Sequence, residues 1–186
     1  DEKGRLKPWD VAFVKNMYKK AYHNIDETEL SEYFPIHHAL SQLLAIYEEF
    51  LGVQFTSVQP EGLWHEDLWC VEAYYNDTLL GHIILDLYPR QDKFSHAAHI
   101  DAVPAIKDGD SYTPAVSFLV ANFPKPRDGK PALLKRSDVE TFFHEFGHTL
   151  HALLGATELV GQTGTHVATD FVELPSQMLE EWLFTK

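Results

Sequence analysis

Apolar positions fall at helical spacing over residues 1–52, gather into short blocks over residues 53–123, and return to helical spacing from residue 137 onward. Pro8-Trp9-Asp10 opens a helix that runs to about His23, with Val11, Phe13, Val14, Met17, Tyr18 and Tyr22 as its apolar face. Pro35 begins a second helix that ends at Gly52, its apolar face being Leu40, Leu43, Leu44, Tyr47, Phe50 and Leu51. His37 and His38 in its first turn are adjacent and so point in different directions, as surface or packing residues do. The blocks 53–58, 68–75, 79–88, 97–103 and 115–123 are rich in β-branched and aromatic residues and read as strands. Asn76-Asp77-Thr78 predicts a hairpin, Asp108-Gly109-Asp110 a further connection, and residues 125–130 the clearest loop. Ser137-Asp138-Val139-Glu140 reads as a capping box with Ser137 at the N-cap of a helix that stops at Gly155. A last helix is expected from Thr169 to Trp182, kinked by Pro175. The fold class is α+β: one domain, helical at 1–52, a small mainly antiparallel sheet at 53–123, and two further helices within 137–186.

Composition narrows the function. With 186 residues, 45% of them hydrophobic, the chain can bury a substantial core. A formal net charge of -13 argues against binding a phosphate backbone, and an acidic surface suits cationic ligands such as basic peptides. The single Cys70 excludes an intrachain disulfide and suits a reducing compartment. No apolar run reaches the length of a membrane span, and the charged start Asp1-Glu2-Lys3-Gly4-Arg5 is unlike a signal peptide, so a cytoplasmic, monomeric protein is expected. Without an initiator Met, the chain is also expected to be a piece of something longer.

The chemistry lies in Phe142-Phe143-His144-Glu145-Phe146-Gly147-His148. His144 and His148 are four residues apart, so both imidazoles share one helix face and can reach one point. Two such nitrogens with a third ligand from elsewhere leave an open tetrahedral position for water on a zinc ion, and Glu145 is placed to take a proton from that water. Glycine at 151 and histidine at 154 would supply a third ligand on the same helix, but those positions are His151 and Leu154. His151 as ligand would take all three from one helix face, a poor tetrahedral geometry. The carboxylates that follow are Glu158, Asp170, Glu173, Glu180 and Glu181, and Glu158 lies too close to the helix end to fold back. Asp170, Glu173, Gln177 and Glu180 share a face, which points to Glu173 as ligand with Asp170, Gln177 or Glu180 orienting the imidazoles. A solvated charged face is equally compatible with that spacing.

Longer motifs surround this one. His144 to His148 followed by His151, then Gly164-Thr165-His166-Val167 and Asp170-Phe171-Val172-Glu173-Leu174-Pro175-Ser176-Gln177-Met178, resemble the M3 family of zinc oligopeptidases. Trp64-His65-Glu66-Asp67, Leu85-Asp86-Leu87-Tyr88-Pro89-Arg90 and Val120-Ala121-Asn122-Phe123 resemble its thimet oligopeptidase branch in particular, with the oligopeptidase A and peptidyl-dipeptidase branches close by. Thr163 stands where that family has serine. The resemblance implies a mostly helical, zincin-like catalytic region, one zinc ion held by His144, His148 and Glu173, and Glu145 as the catalytic base. It implies hydrolysis of short peptides within a longer enzyme, whose downstream tyrosine- and histidine-bearing segment is absent from these 186 residues. Ala121, Asn122 and Phe123 are substrate-binding candidates, and the strand 115–123 is expected to pair with an extended peptide along its edge. The alternative is a zinc-stabilised peptide-binding domain without turnover.

Overall fold

A computed structural model describes residues 6–127 and 129–184; the charged start at 1–5 lies outside the described residues. A short 3-10 turn at Pro8–Asp10 leads into α1, Val11–His23, which stops where Asn24 turns left-handed at φ 52°. A short helix that the apolar pattern does not signal, α2 (Glu27–Ser31), is capped by the Asp26 carboxylate, which accepts from the Thr28 N–H at 2.9 Å. Pro35 precedes α3, Ile36–Leu51, and Gly52 ends it at φ 68°, as expected. The face of α3 that is buried carries Ile36, Ala39, Leu43 and Tyr47. His37 is exposed and stacks on Trp69, a packing role. The predicted apolar face of α1 is real as a pattern, yet none of its residues is buried. Periodicity fixes which side of a helix is apolar and not what covers it.

The strands are β1 (Gln54–Val58), β2 (Trp69–Tyr75), β3 (Thr78–Asp86), β4 (Ala98–Val103), β5 (Ile106–Asp108), β6 (Ser111–Thr113) and β7 (Ala115–Val120). Five of them form a mixed sheet in the order β1-β2-β3-β7-β4, with only the β3–β7 pair parallel. Asn76 and Asp77, at φ 47° and 61°, make the two-residue left-handed turn between β2 and β3, a twist that matches paired strands. The Asp108-Gly109-Asp110 connection joins β5 to β6 as a separate two-stranded ribbon. Strand β7 is interior, paired to β3 on one side and β4 on the other, so it has no free edge for a peptide. Its pairing continues beyond the strand, with Ala121 N–H donating to Asp86 O and Phe123 N–H to Leu87 O, both at 2.9 Å. The free edge on this side belongs to β4.

One face of the sheet is covered by α3 and by α4 (Arg136–Leu154). Ile83, Leu85 and Leu119 from the strands meet Phe142, Phe146, Leu150 and Leu153 of α4 and Leu43 and Tyr47 of α3 in the main core. Tyr47 lies parallel to Phe146, centroids 5.4 Å apart, and its hydroxyl donates to Phe143 O at 3.4 Å. Each such ring contributes roughly 1.5–3 kcal/mol by leaving water.

At the end of β3 a buried ionic group ties two strands and a loop together. Lys93 Nζ donates to Asp86 O at 2.8 Å, to Tyr88 O at 2.7 Å and to Ala121 O, and stands 2.9 Å from Asp86 Oδ1. Arg90 reaches both carboxylate oxygens of Asp86, at 2.6 and 2.7 Å. Burial alone would raise the Asp86 pKa, but the hydrogen bonds and charges of Arg90 and Lys93 outweigh it and hold the carboxyl below its ordinary value. Its contribution to stability is therefore complete above the ordinary aspartate range, near pH 4, and is lost as pH falls through the lower folded value. Asp86→Asn is expected to cost about 3 kcal/mol near neutrality by leaving two cations without their partner. Thermal melts of both proteins at successively lower pH should show the gap closing below about pH 4; a gap independent of pH would refute the ionic account.

Candidate metal centre

Helix α4 starts two residues earlier than the capping pattern predicts. Lys135 is the N-cap, and Asp138 performs the back-bond, its Oδ2 accepting from Lys135 N–H at 2.8 Å. Ser137, expected at the N-cap, instead sits inside the first turn. The helix ends at Gly155, as expected. Most of its circumference is buried, including Val139, Phe142, Phe143, Phe146, Leu150 and Leu153. His144 and His148 emerge on the remaining side with their side chains 26% and 12% exposed, rings nearly perpendicular at 4.8 Å between centroids.

The second helix of the site, α5, spans only Glu173–Glu180, with turns over 169–172 and a 3-10 turn at Glu181–Phe184. Pro175 does not kink it. A proline in the first turn occupies a position whose N–H has no helical acceptor, so it helps define where this helix starts. That start places Glu173 Oε2 3.2 Å from His144 Nε2 and 3.1 Å from His148 Nε2. The three side chains form the group of potential metal ligands found among the described residues, their ligand atoms within 4.8 Å of one another. Two donors each 2.0–2.1 Å from one tetrahedral zinc ion are themselves about 3.3 Å apart, a separation that both Glu173–histidine distances match. Two imidazole nitrogens and a carboxylate oxygen also suit zinc chemically.

Of the three residues expected to orient the ligands, the structure brings in one. Glu180 Oε2 lies 2.8 Å from His144 Nδ1, a contact that would hold a proton on Nδ1 and keep Nε2, which faces Glu173, for a metal. Asp170 and Gln177 are exposed, and neither makes a hydrogen bond to the imidazoles among the described residues. The reason is the late helix start: Asp170 sits in the preceding turn, off the face it was expected to share. His151 stands outside the ligand group, its ring against Phe171 and its Nδ1 buried without a hydrogen bond. Glu158 and Glu181 are exposed.

Glu145 follows His144 on α4. Burial pushes its pKa up, while His144 and a backbone hydrogen bond from His99 pull it down, and burial wins. Burial likewise lowers the pKa of His148. A half-buried carboxyl beside two candidate ligands, its pKa raised by burial, has the character of a proton-transfer group. The sequence reading missed the polar group behind it: His99 and Asp101 of β4, Ser117 of β7 and Thr165. A signal was present, since His99 and Asp101 at i and i+2 put two polar residues on the strand face turned toward the helices.

The substrate-binding candidates do not reach the site as expected. Ala121 and Phe123 are 1% and 4% exposed and belong to the main core, because they extend an interior strand. Asn122 is half-buried and its side-chain amide donates to Phe94 O and His96 O, at 3.0 and 3.3 Å. It braces the segment leading into β4. Thr163, the departure from the family's serine, is 1% exposed, and its hydroxyl donates to Gly155 O at 3.0 Å and to Ala105 O. A serine hydroxyl could make the same bonds, so the difference is one buried methyl.

What lets Glu173 reach the histidines is Gly147, between them on α4. A Cβ there would stand 2.7 Å from Ser176 Cα and 3.3 Å from Ser176 Cβ, distances backbone atoms do not tolerate. Alanine would favour an isolated helix by about 1 kcal/mol, but here it must push α5 away and carry Glu173 with it. Gly147→Ala is expected to weaken zinc binding by about tenfold or more, read by competition with a chelating dye. Unchanged affinity would show that α5 is free to adjust.

A profile of Peptidase family M3 matches residues 1–186. The chain is 38% identical over 183 residues to a thimet-like oligopeptidase of Dictyostelium discoideum, covering 96% of this chain and 27% of that protein. It is 37% identical over 180 residues to oligopeptidase A of Escherichia coli, covering 95% of this chain and 26% of that protein. It is 30% identical over 184 residues to the human mitochondrial intermediate peptidase, covering 96% and 26%. The chain thus spans about a quarter of the length of the curated relatives it matches. No helix among the described residues is long and apolar enough to cross a membrane. With the profile matched from end to end and relatives this similar across nearly all of the chain, the chain belongs to Peptidase family M3.

Proposed function

We propose that this chain carries the metal-holding part of a zinc-dependent, zincin-like peptidase that hydrolyses short peptides. The observation that carries the reading is the convergence of His144 Nε2, His148 Nε2 and Glu173 Oε2 next to Glu145 on the same helix. A zinc ion bound there would polarise the scissile carbonyl and make water a better nucleophile near neutral pH. The protein's own groups do the rest. Glu180 holds His144 in one tautomer, and the buried side of α4 keeps both histidines on a rigid element. Glu145, raised toward neutrality by burial, accepts a proton from the attacking water and returns it to the leaving amine. An extended peptide would add to the free edge of β4, which borders α4, and not to β7. The net charge of -13 favours peptides without excess acid. The lone, buried Cys70 is compatible with the reducing conditions of a cytoplasm, and a monomer is the simplest assembly.

Metal analysis of the purified chain should find one zinc, and a chelator should lower its melting temperature and abolish any cleavage of a quenched fluorescent peptide. Glu145→Gln should reduce cleavage by about 10³-fold with zinc still bound. Loss of zinc in that variant would reassign Glu145 to metal binding. Zinc without cleavage, in this chain and in a longer chain containing it, would favour a zinc-stabilised binding domain.

A further inference from the structure

The two histidines of the metal centre are oriented by different means. His144 has Glu180 on its Nδ1. Among the described residues no hydrogen bond reaches His148 Nδ1, so packing must set the tilt of that ring. Two rings lie against it: His144, nearly perpendicular at 4.8 Å between centroids, and His99, on the edge strand β4, with centroids 6.3 Å apart and planes inclined by 30°. The His99 side chain is only 6% exposed, and its Nε2 lies 3.3 Å from Asp101 Oδ1 and 3.2 Å from Ser117 Oγ. Ser117 is fully buried and donates to the same carboxylate oxygen at 3.3 Å, while Thr165 donates to Asp101 Oδ2 at 2.6 Å. A ring bonded to a carboxylate that two hydroxyls hold in place has one orientation available.

We propose that His99 is a positioning residue: tethered by Asp101 and Ser117, its ring sets the orientation of His148, without touching substrate. This rests on the metal-centre reading above. Two substitutions separate ring from tether. His99→Gln keeps a donor for Asp101 and loses the ring; His99→Phe keeps a ring and loses the donor. Ile100→Ala, on the opposite face of the same strand and 47% exposed, controls for general disturbance of β4. Zinc dissociation constants from dye competition and the visible absorption spectrum of the cobalt(II)-loaded chain, which reports ligand geometry, are the readouts. His99→Gln should weaken zinc about tenfold and shift the cobalt bands, His99→Phe, which keeps the ring without its tether, should lose less than His99→Gln, and Ile100→Ala should change neither. An unchanged His99→Gln, or a His99→Phe as weak as His99→Gln, overturns the role of the ring while leaving the metal centre standing. A wild-type chain that binds no zinc overturns the metal centre and this role with it.

Discussion

The close approach of α5 to α4 at Gly147 is the constraint on which the candidate site depends. Two histidines on one helix define a point, but a carboxylate can reach that point only if its own helix lies almost in backbone contact. The absence of a side chain at Gly147 permits this, with Ser176 and Leu179 of α5 seated against it. Glu173 and Glu180 then fall at the start and end of the same short helix, one facing the two Nε2 atoms and the other the Nδ1 of His144. The spacing of seven residues is two turns, which keeps both carboxylates on one side.

The other face of the site is governed by strand register. In β4, His99 pairs with Leu119 and Asp101 with Ser117, on the side of the sheet that packs against α4. After Asp101 the register shifts, so that Val103 comes opposite Val116. Val116 belongs to the small cluster on the far side with Leu68, Cys70 and Ile84. Without that bulge Val103 would have followed His99 and Asp101 onto the helix side; with it, the edge strand turns two polar residues toward the candidate metal centre and puts Val103 on the opposite, exposed side.

Much of this was legible from sequence because it is written in local patterns. The helix breaks at Gly52 and Gly155, the Asn76-Asp77 turn and the spacing of His144 and His148 each depend on neighbours a few residues away. What stayed hidden depends on distant partners. The interior position of β7 follows from a chain excursion that brings β4 back outside it, which no alternation within 115–123 reveals. Pro175 was misread as a kink because its meaning turns on where α5 begins, and that is set by packing on α4. Among four residues on one expected face, only three-dimensional contact separates Glu173 and Glu180 from Asp170 and Gln177.

The loop from α4 to α5 joins these two constraints. Gly164 N–H donates to Gly155 O at 2.9 Å, and the Thr163 hydroxyl bonds the carbonyls of Gly155 and Ala105, so the loop is pinned both to the end of α4 and to the segment after β4. Two residues on, Thr165 donates to Asp101. Burial alone would raise the Asp101 pKa, yet the hydrogen bonds from His99, Thr165 and Ser117 keep it below its ordinary value and therefore ionised. A charged carboxylate in that position costs little only while all three donors are present. Sheet register and loop closure are thus held by one shared acceptor, and a slip in either is felt at His99, one ring away from His148.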